Sequence, residues 1–151
     1  MKKNSFQISF APLETTDFYN LLDEPSNGAI VIMSGNVRNQ TDGHSVSYLE
    51  YQAYQPMALE VFRQIALEIE NKWSSVNCLA IHHRIGKLSI GEISVLVGVA
   101  CPHREESFSA CKYAIDYLKH NAPIWKKEHW RDGNSQWISI GECEQENKNL
   151  G

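Results

Sequence analysis

The stretch Ser94–Glu128, SVLVGVACPHREESFSACKYAIDYLKHNAPIWKKE, decides how this chain folds. Ser94–Ala100 is almost unbroken in apolar residues, the composition of a strand in mid-sheet with both faces covered. A helix starts near Pro102–Arg104, where Glu105 and Glu106 suit the positive end of the aligned peptide dipoles. Phe108, Cys111, Ile115 and Leu118 recur at helical spacing and form its expected buried stripe. Pro123 stops it, because proline has no N–H to give and its ring clashes with the preceding turn. Beyond the proline, Ile124–Trp130 and Gln136–Ile140 flank Asp132-Gly133-Asn134 and read as a β-hairpin.

Working outward, Phe6–Phe10 alternates as a short strand, and Thr16 is placed to cap a short helix carrying Phe18, Leu21 and Leu22. Gly28–Val37 is an apolar strand. Arg38–His44 is polar, contains Asp42-Gly43 and reads as a mobile loop. Ser45–Tyr54 is a strand rich in Tyr and Val. Pro56 opens a long helix running to about Trp73, with Met57, Val61, Phe62, Ile65 and Ile69 on one side. Cys78–Arg84 is a further strand, and Gly86 and Gly91 bracket a turn region. This order predicts an α+β domain with mixed or antiparallel sheets and two main helices, not a doubly wound fold. Residues 1–141 are expected to form one domain and the polar residues 142–151 a flexible tail.

At 151 residues, 42% hydrophobic and 21% charged, the chain has the size and composition of one ordinary globular domain. A net charge of −4 excludes a general polyanion-binding role, so no nucleic-acid partner is expected. Charge is uneven, however. Residues 103–131 hold six Lys/Arg against four Asp/Glu, and the remainder eight against fourteen. One basic stretch in an acidic protein suits a pocket for a small anion; it equally describes a solvated surface. No apolar run approaches the ~20 residues of a membrane span, and the lysines of Met1–Phe10 lack the apolar segment of a leader. Cys78, Cys101, Cys111 and Cys143 form no Cys-x-x-Cys pair. Reduced thiols in the cytoplasm, and no zinc site, are therefore expected.

The chemistry concentrates around two lysines. Lys119 lies in the last turn of the second long helix, and Lys126 comes just past Pro123 and Trp125. The break at Pro123 turns the chain, so both amines can face one space. Ammonium groups held close disfavour each other's charge, which prepares an amine to act as base or nucleophile. A lysine at a helix C-terminus also simply complements the dipole, so spacing alone leaves both readings open. His103 and Arg104 open the same helix, where free N–H groups and a guanidinium fork can hold a phosphate or carboxylate. Arg38, beside Gly35 at a strand end, can close over an anion or remain a loop arginine. His82 and His83 fall on opposite faces of a strand, so they cannot share a metal; one is expected packed, the other exposed. The tryptophans read as core or interface.

Taken in order, GNVRNQTDG, LEYQAYQPMA, HRIGKLSIGE, VGVACPHREESFSACKYAIDYLKHNAPIWKKE and the tryptophan of SQW resemble the catalytic (large) subunit family of molybdopterin synthase. The likeness covers about residues 28–138. It implies an α/β hammerhead fold with an additional small antiparallel β-sheet. It implies a homodimer within a heterotetramer, each end binding a small ubiquitin-like sulfur carrier that ends in Gly-Gly as a thiocarboxylate. The reaction implied converts cyclic pyranopterin monophosphate to the dithiolene molybdopterin, with no metal or organic cofactor in the synthase. By resemblance, Lys119 and Lys126 are catalytic, and Arg38, His103 and Arg104 hold the substrate's phosphate and pterin. Family members often carry an arginine in the C-terminal tail, reaching the neighbouring subunit's pocket. Nothing after Trp137 is an arginine here, so Arg131 or Lys148 replaces it or the pocket does without. The rival reading is a non-catalytic anion- or peptide-binding module on the same scaffold.

Overall fold

A computed structural model describes residues 3–141. The strands are β1 (Lys3–Ser9), β2 (Ala29–Asn36), β3 (Gln40–Thr41), β4 (His44–Ala53), β5 (Cys78–Arg84), β6 (Gly86–Ser89), β7 (Ile93–Cys101), β8 (Ile124–Trp130) and β9 (Ser135–Ser139). The helices are α1 (Thr15–Leu22), α2 (Gln55–Lys72) and α3 (Arg104–Asn121). The strands form two sheets. One has the order β1-β5-β7-β2; the other runs β3-β4-β8-β9, with β6 also paired to β4. Among the described strands only β1 and β5 run parallel. This is the expected α+β architecture with an added antiparallel sheet.

The first sheet is covered on both faces, which explains why β7 reads as continuously apolar. On one side α2 and α3 lie over Leu79, Ile81, Val95, Val97 and Val99 and enclose the main core. On the other, Phe18 and Leu22 of α1 pack on Cys78, Ala80, Leu96 and Ala100. Gly98 permits that approach: a Cβ there would collide with Leu22 Cδ1 and stand 2.7 Å from Phe18 Cε1.

Several boundaries and faces differ from expectation. The N-cap of α1 is Glu14, which makes no side-chain capping bond, so Thr16 lies inside the helix. Arg38–His44 is not an open loop. Its Asp42 (φ 48°) and Gly43 (φ 80°) form the tight turn joining β3 to β4. Phe108 is 62% exposed, and the buried stripe of α3 is Ser107, Ala110, Cys111, Ala114, Ile115 and Leu118. The small residues let the helix lie close to the sheet; one step, roughly 100° round, carries Phe108 past the contact. His82 and His83 are both buried, because both faces of β5 are covered. The hairpin at Asp132-Gly133-Asn134 forms as expected, with β8 antiparallel to β9. The tail expected at 142–151 lies outside the described residues, as does Cys143. No described helix is long and apolar enough to cross a membrane.

Candidate active site

The chain reverses sharply after α3. Ala122 N–H donates to Leu118 O (2.9 Å), Ile124 N–H to Ala122 O (2.8 Å) and Tyr54 N–H to Pro123 O (3.1 Å). These bonds set β8 beside β4, in the register Tyr51↔Lys126 and Leu49↔Glu128. Strand alternation then sends Lys126 and Glu128 inward and Trp125 and Lys127 to the other face. The C-terminal turn of α3 supplies Lys119, and the end of β2 leads to Arg38. Together with Tyr51 and Ser94, these groups line a pocket of about 250 Å³.

Three cations and one carboxylate therefore meet in one space. The Lys126 side chain is 13% exposed and that of Glu128 only 2%, with Lys126 Nζ 3.8 Å from Glu128 Oε2. Glu128 Oε1 accepts from Trp130 Nε1 (3.3 Å), and Oε2 has no hydrogen-bond partner among the described residues. Lys126 and Glu128 face each other inside the pocket, and such a pair offsets part of what burying each group costs. The surplus positive charge attracts an anionic reactant, and the partial burial strengthens that attraction over its value in water.

Behind this pocket lies His83. Its Nδ1 donates to Arg84 O (2.8 Å), which fixes the tautomer because a carbonyl only accepts. Its ring stands edge-on to Tyr51 with centroids 5.1 Å apart. Burial pushes its pKa down to about 4, and the nearby Lys119 charge pushes the same way. His83 is thus a neutral wall behind the amines. Gly141 packs on the end of α3: a Cβ on it would lie 2.5 Å from Lys119 O, so the chain crosses directly over the helix end.

Of the five residues expected to act together, Arg38, Lys119 and Lys126 share the pocket. His103 and Arg104 do not. They sit exposed at the N-terminus of α3, sixteen and fifteen residues before Lys119, about 22–24 Å along the axis at about 1.5 Å per residue. Arg131 lies exposed past the end of β8, away from the pocket lining, and Lys148 is outside the described residues. Glu128 and Tyr51 are pocket residues that sequence reasoning missed. The available signal was strand spacing: Glu128 stands two residues from Lys126, on the same face.

The fold is an α+β domain whose pocket brings two amines and a guanidinium beside one carboxylate. Residues 8–121 match the family model described as MoaE protein. The chain is 63% identical over 147 residues to a molybdopterin synthase catalytic subunit of Nostoc sp., covering 97% of this chain and 89% of that one. It is 44% identical over 133 residues to the Bacillus subtilis protein of the same name, covering 88% and 83%. The structure of molybdopterin synthase from Staphylococcus aureus superposes with a TM-score of 0.83 at 42% identity, covering 88% of this chain and 96% of that one. The chain belongs to the MoaE protein family.

Proposed function

We propose that this chain is the sulfur-transferring subunit of a molybdopterin synthase. It moves sulfur from the thiocarboxylated C-terminus of a small carrier ending in Gly-Gly to cyclic pyranopterin monophosphate, forming the dithiolene. The observation that carries this reading is the convergence of Lys119, Lys126 and Arg38 in one pocket. Both reactants are anionic, and both are drawn to the same cations. Arg38 serves the phosphate as a fork donor. The two lysines supply and accept the protons that ring opening and carbon–sulfur bond formation require.

His103 and Arg104 enter this scheme from a second copy. Their distance from Lys119 along the helix speaks against a shared pocket within one chain. In a two-fold dimer the same surface meets itself, so the start of one α3 can complete the other copy's site. The relatives are named as subunits, which supports an assembly, and the family resemblance makes it a homodimer with one carrier at each end. A cytoplasmic location accords with Cys78, Cys101 and Cys111, which are buried and unpaired. Burial holds the Cys111 thiol up at about 11, so it is unreactive.

The test uses purified chain, thiocarboxylated carrier and pterin precursor, with product followed chromatographically. Product is expected only when the carrier is present. Full-rate turnover with free sulfide alone contradicts the carrier scheme, and unchanged turnover in Lys119→Ala favours a binding module instead.

A further inference from the structure

Trp130 ends β8 one alternation beyond Glu128, so it shares the inward face with Lys126 and Glu128 but stands behind the pocket, outside its lining. We propose that Trp130 is a positioning residue for the reaction: its indole N–H aims Glu128 at Lys126, and its ring face holds, through His44, the turn that follows Arg38.

The first contact sets the lysine. An indole nitrogen only donates, and Trp130 Nε1–H donates to Glu128 Oε1 at 3.3 Å. That bond engages one carboxylate oxygen and fixes the roll of the group. The other oxygen, Oε2, has no hydrogen-bond partner among the described residues and is the one that lies 3.8 Å from Lys126 Nζ. Both side chains are largely shielded from water, so a donor behind the carboxylate decides where the ammonium rests. A phenyl ring in place of the indole would fill similar space and leave the carboxylate free to roll.

The second contact sets the arginine. The His44 and Trp130 rings stack, with centroids 3.9 Å apart and planes 6° from parallel. His44 opens β4 directly after the Asp42-Gly43 turn and pairs with Thr41, which lines the pocket. Val46, the cross-strand partner of Trp130, donates its N–H to Asn39 O (2.9 Å), beside Arg38. Trp130 is itself anchored: its backbone N–H donates to Asn134 O (2.9 Å), and that of Arg131 to Ser45 O (2.8 Å). One held side chain therefore joins the strand that carries Lys126 to the turn that follows Arg38. A displacement of about 1 Å in such groups can cost on the order of a hundredfold in rate, so this joint bears on turnover without touching substrate.

Two variants separate the contacts, assayed for turnover with thiocarboxylated carrier and pterin precursor. The proposal rests on the sulfur-transfer reading, so the unaltered protein is assayed alongside. Trp130→Phe keeps a ring against His44 and deletes the N–H; kcat should fall about tenfold with KM within about twofold. His44→Ala keeps the N–H and deletes the stack; KM for the precursor should rise about fivefold with kcat within about twofold. Urea unfolding is followed for both, because a merely structural role lowers stability without splitting kcat from KM. The indole N–H resonance that Trp130→Phe removes from the NMR spectrum should shift in Glu128→Gln. Variants whose kcat and KM change together or not at all overturn the proposal, as does an indole resonance that Glu128→Gln leaves in place. An unaltered protein without turnover refutes the sulfur-transfer reading and the proposal with it; turnover with an unsplit pair of variants refutes the proposal alone.

Discussion

The two ends of α3 carry basic residues of the same chemical kinds, yet Lys119 lines a pocket whereas His103 and Arg104 stand exposed. At the C-terminal end, Lys119 meets Arg38, Lys126 and Glu128, which come from other segments, and Tyr51 and His83 back them. At the N-terminal end, His103 and Arg104 stand exposed with no such convergence among the described residues. The difference lies in the segment adjoining each end. After Asn121 the chain is forced by Pro123 into a strand laid beside β4, which walls in the amines. Before Arg104, β7 simply delivers the chain to the helix at the edge of the molecule. A helix start rich in donors is only half a site; enclosure has to come from elsewhere, in the proposed scheme from a second copy.

The contrast is most vulnerable at the enclosed end. Lys126→Met keeps the length and removes the ammonium, and turnover should fall about 10²–10⁴-fold, as expected for loss of a proton-transferring group. Next in size is Glu128→Ala. It strips the counter-charge from a lysine held 13% exposed, and equilibrium urea unfolding should register a loss of about 3 kcal/mol. Restoration by Asp or Gln is expected to be incomplete, since neither returns both the charge and the reach.

His83 ties the same region to pH. The unfolded imidazole protonates near 6.5, whereas in the folded chain it resists until about 4. The unfolded state therefore binds more protons across this window. Stability is fully present above pH 6.5 and is lost as pH falls, by about 3 kcal/mol at pH 4. His83→Phe should flatten that part of the stability–pH curve. An unchanged slope would mean that other groups govern acid sensitivity.

The smallest effect belongs to the exposed end. Arg104→Ala should raise KM about tenfold with kcat nearly unchanged, as for loss of a single charged hydrogen bond to bound substrate. The arrangement across the dimer is tested by mixing. Mixed dimers of Arg104→Ala and Lys119→Ala chains contain one intact site and should recover the KM of the unaltered protein at about half its kcat. No recovery after exchange is verified would place Arg104 in the same copy as Lys119, against the helix length.

Much of this arrangement is legible in the residues. Cys78–Arg84 is a strand with the boundaries its composition predicts, and the hairpin after Pro123 follows from its turn residues. The Pro123 break correctly brings two lysines together. Arg38 is visible because the strand ahead of it ends at a glycine and a polar turn. Glu128 is hidden because an acid following Lys-Lys looks like solvated surface. Its burial is decided by Leu49, its cross-strand partner, almost eighty residues away. Local pattern does not show which faces are covered twice, so it does not reveal that His82 is buried along with His83. Phe108 fits the helical spacing but falls just outside the contact that Ser107 and Ala110 make. His103 and Arg104 group with the lysines in sequence because one motif contains them all. The length of α3 separates them.

Single-turnover conversion of the pterin precursor by Lys119→Ala, with thiocarboxylated carrier in excess and native folding checked by circular dichroism, tests the central claim most directly. Product formation is expected to fall at least about a hundredfold while carrier binding persists. A rate within about twofold of the unaltered protein, far smaller than the loss expected for a proton-transferring group, would show that the converging amines do not carry the chemistry.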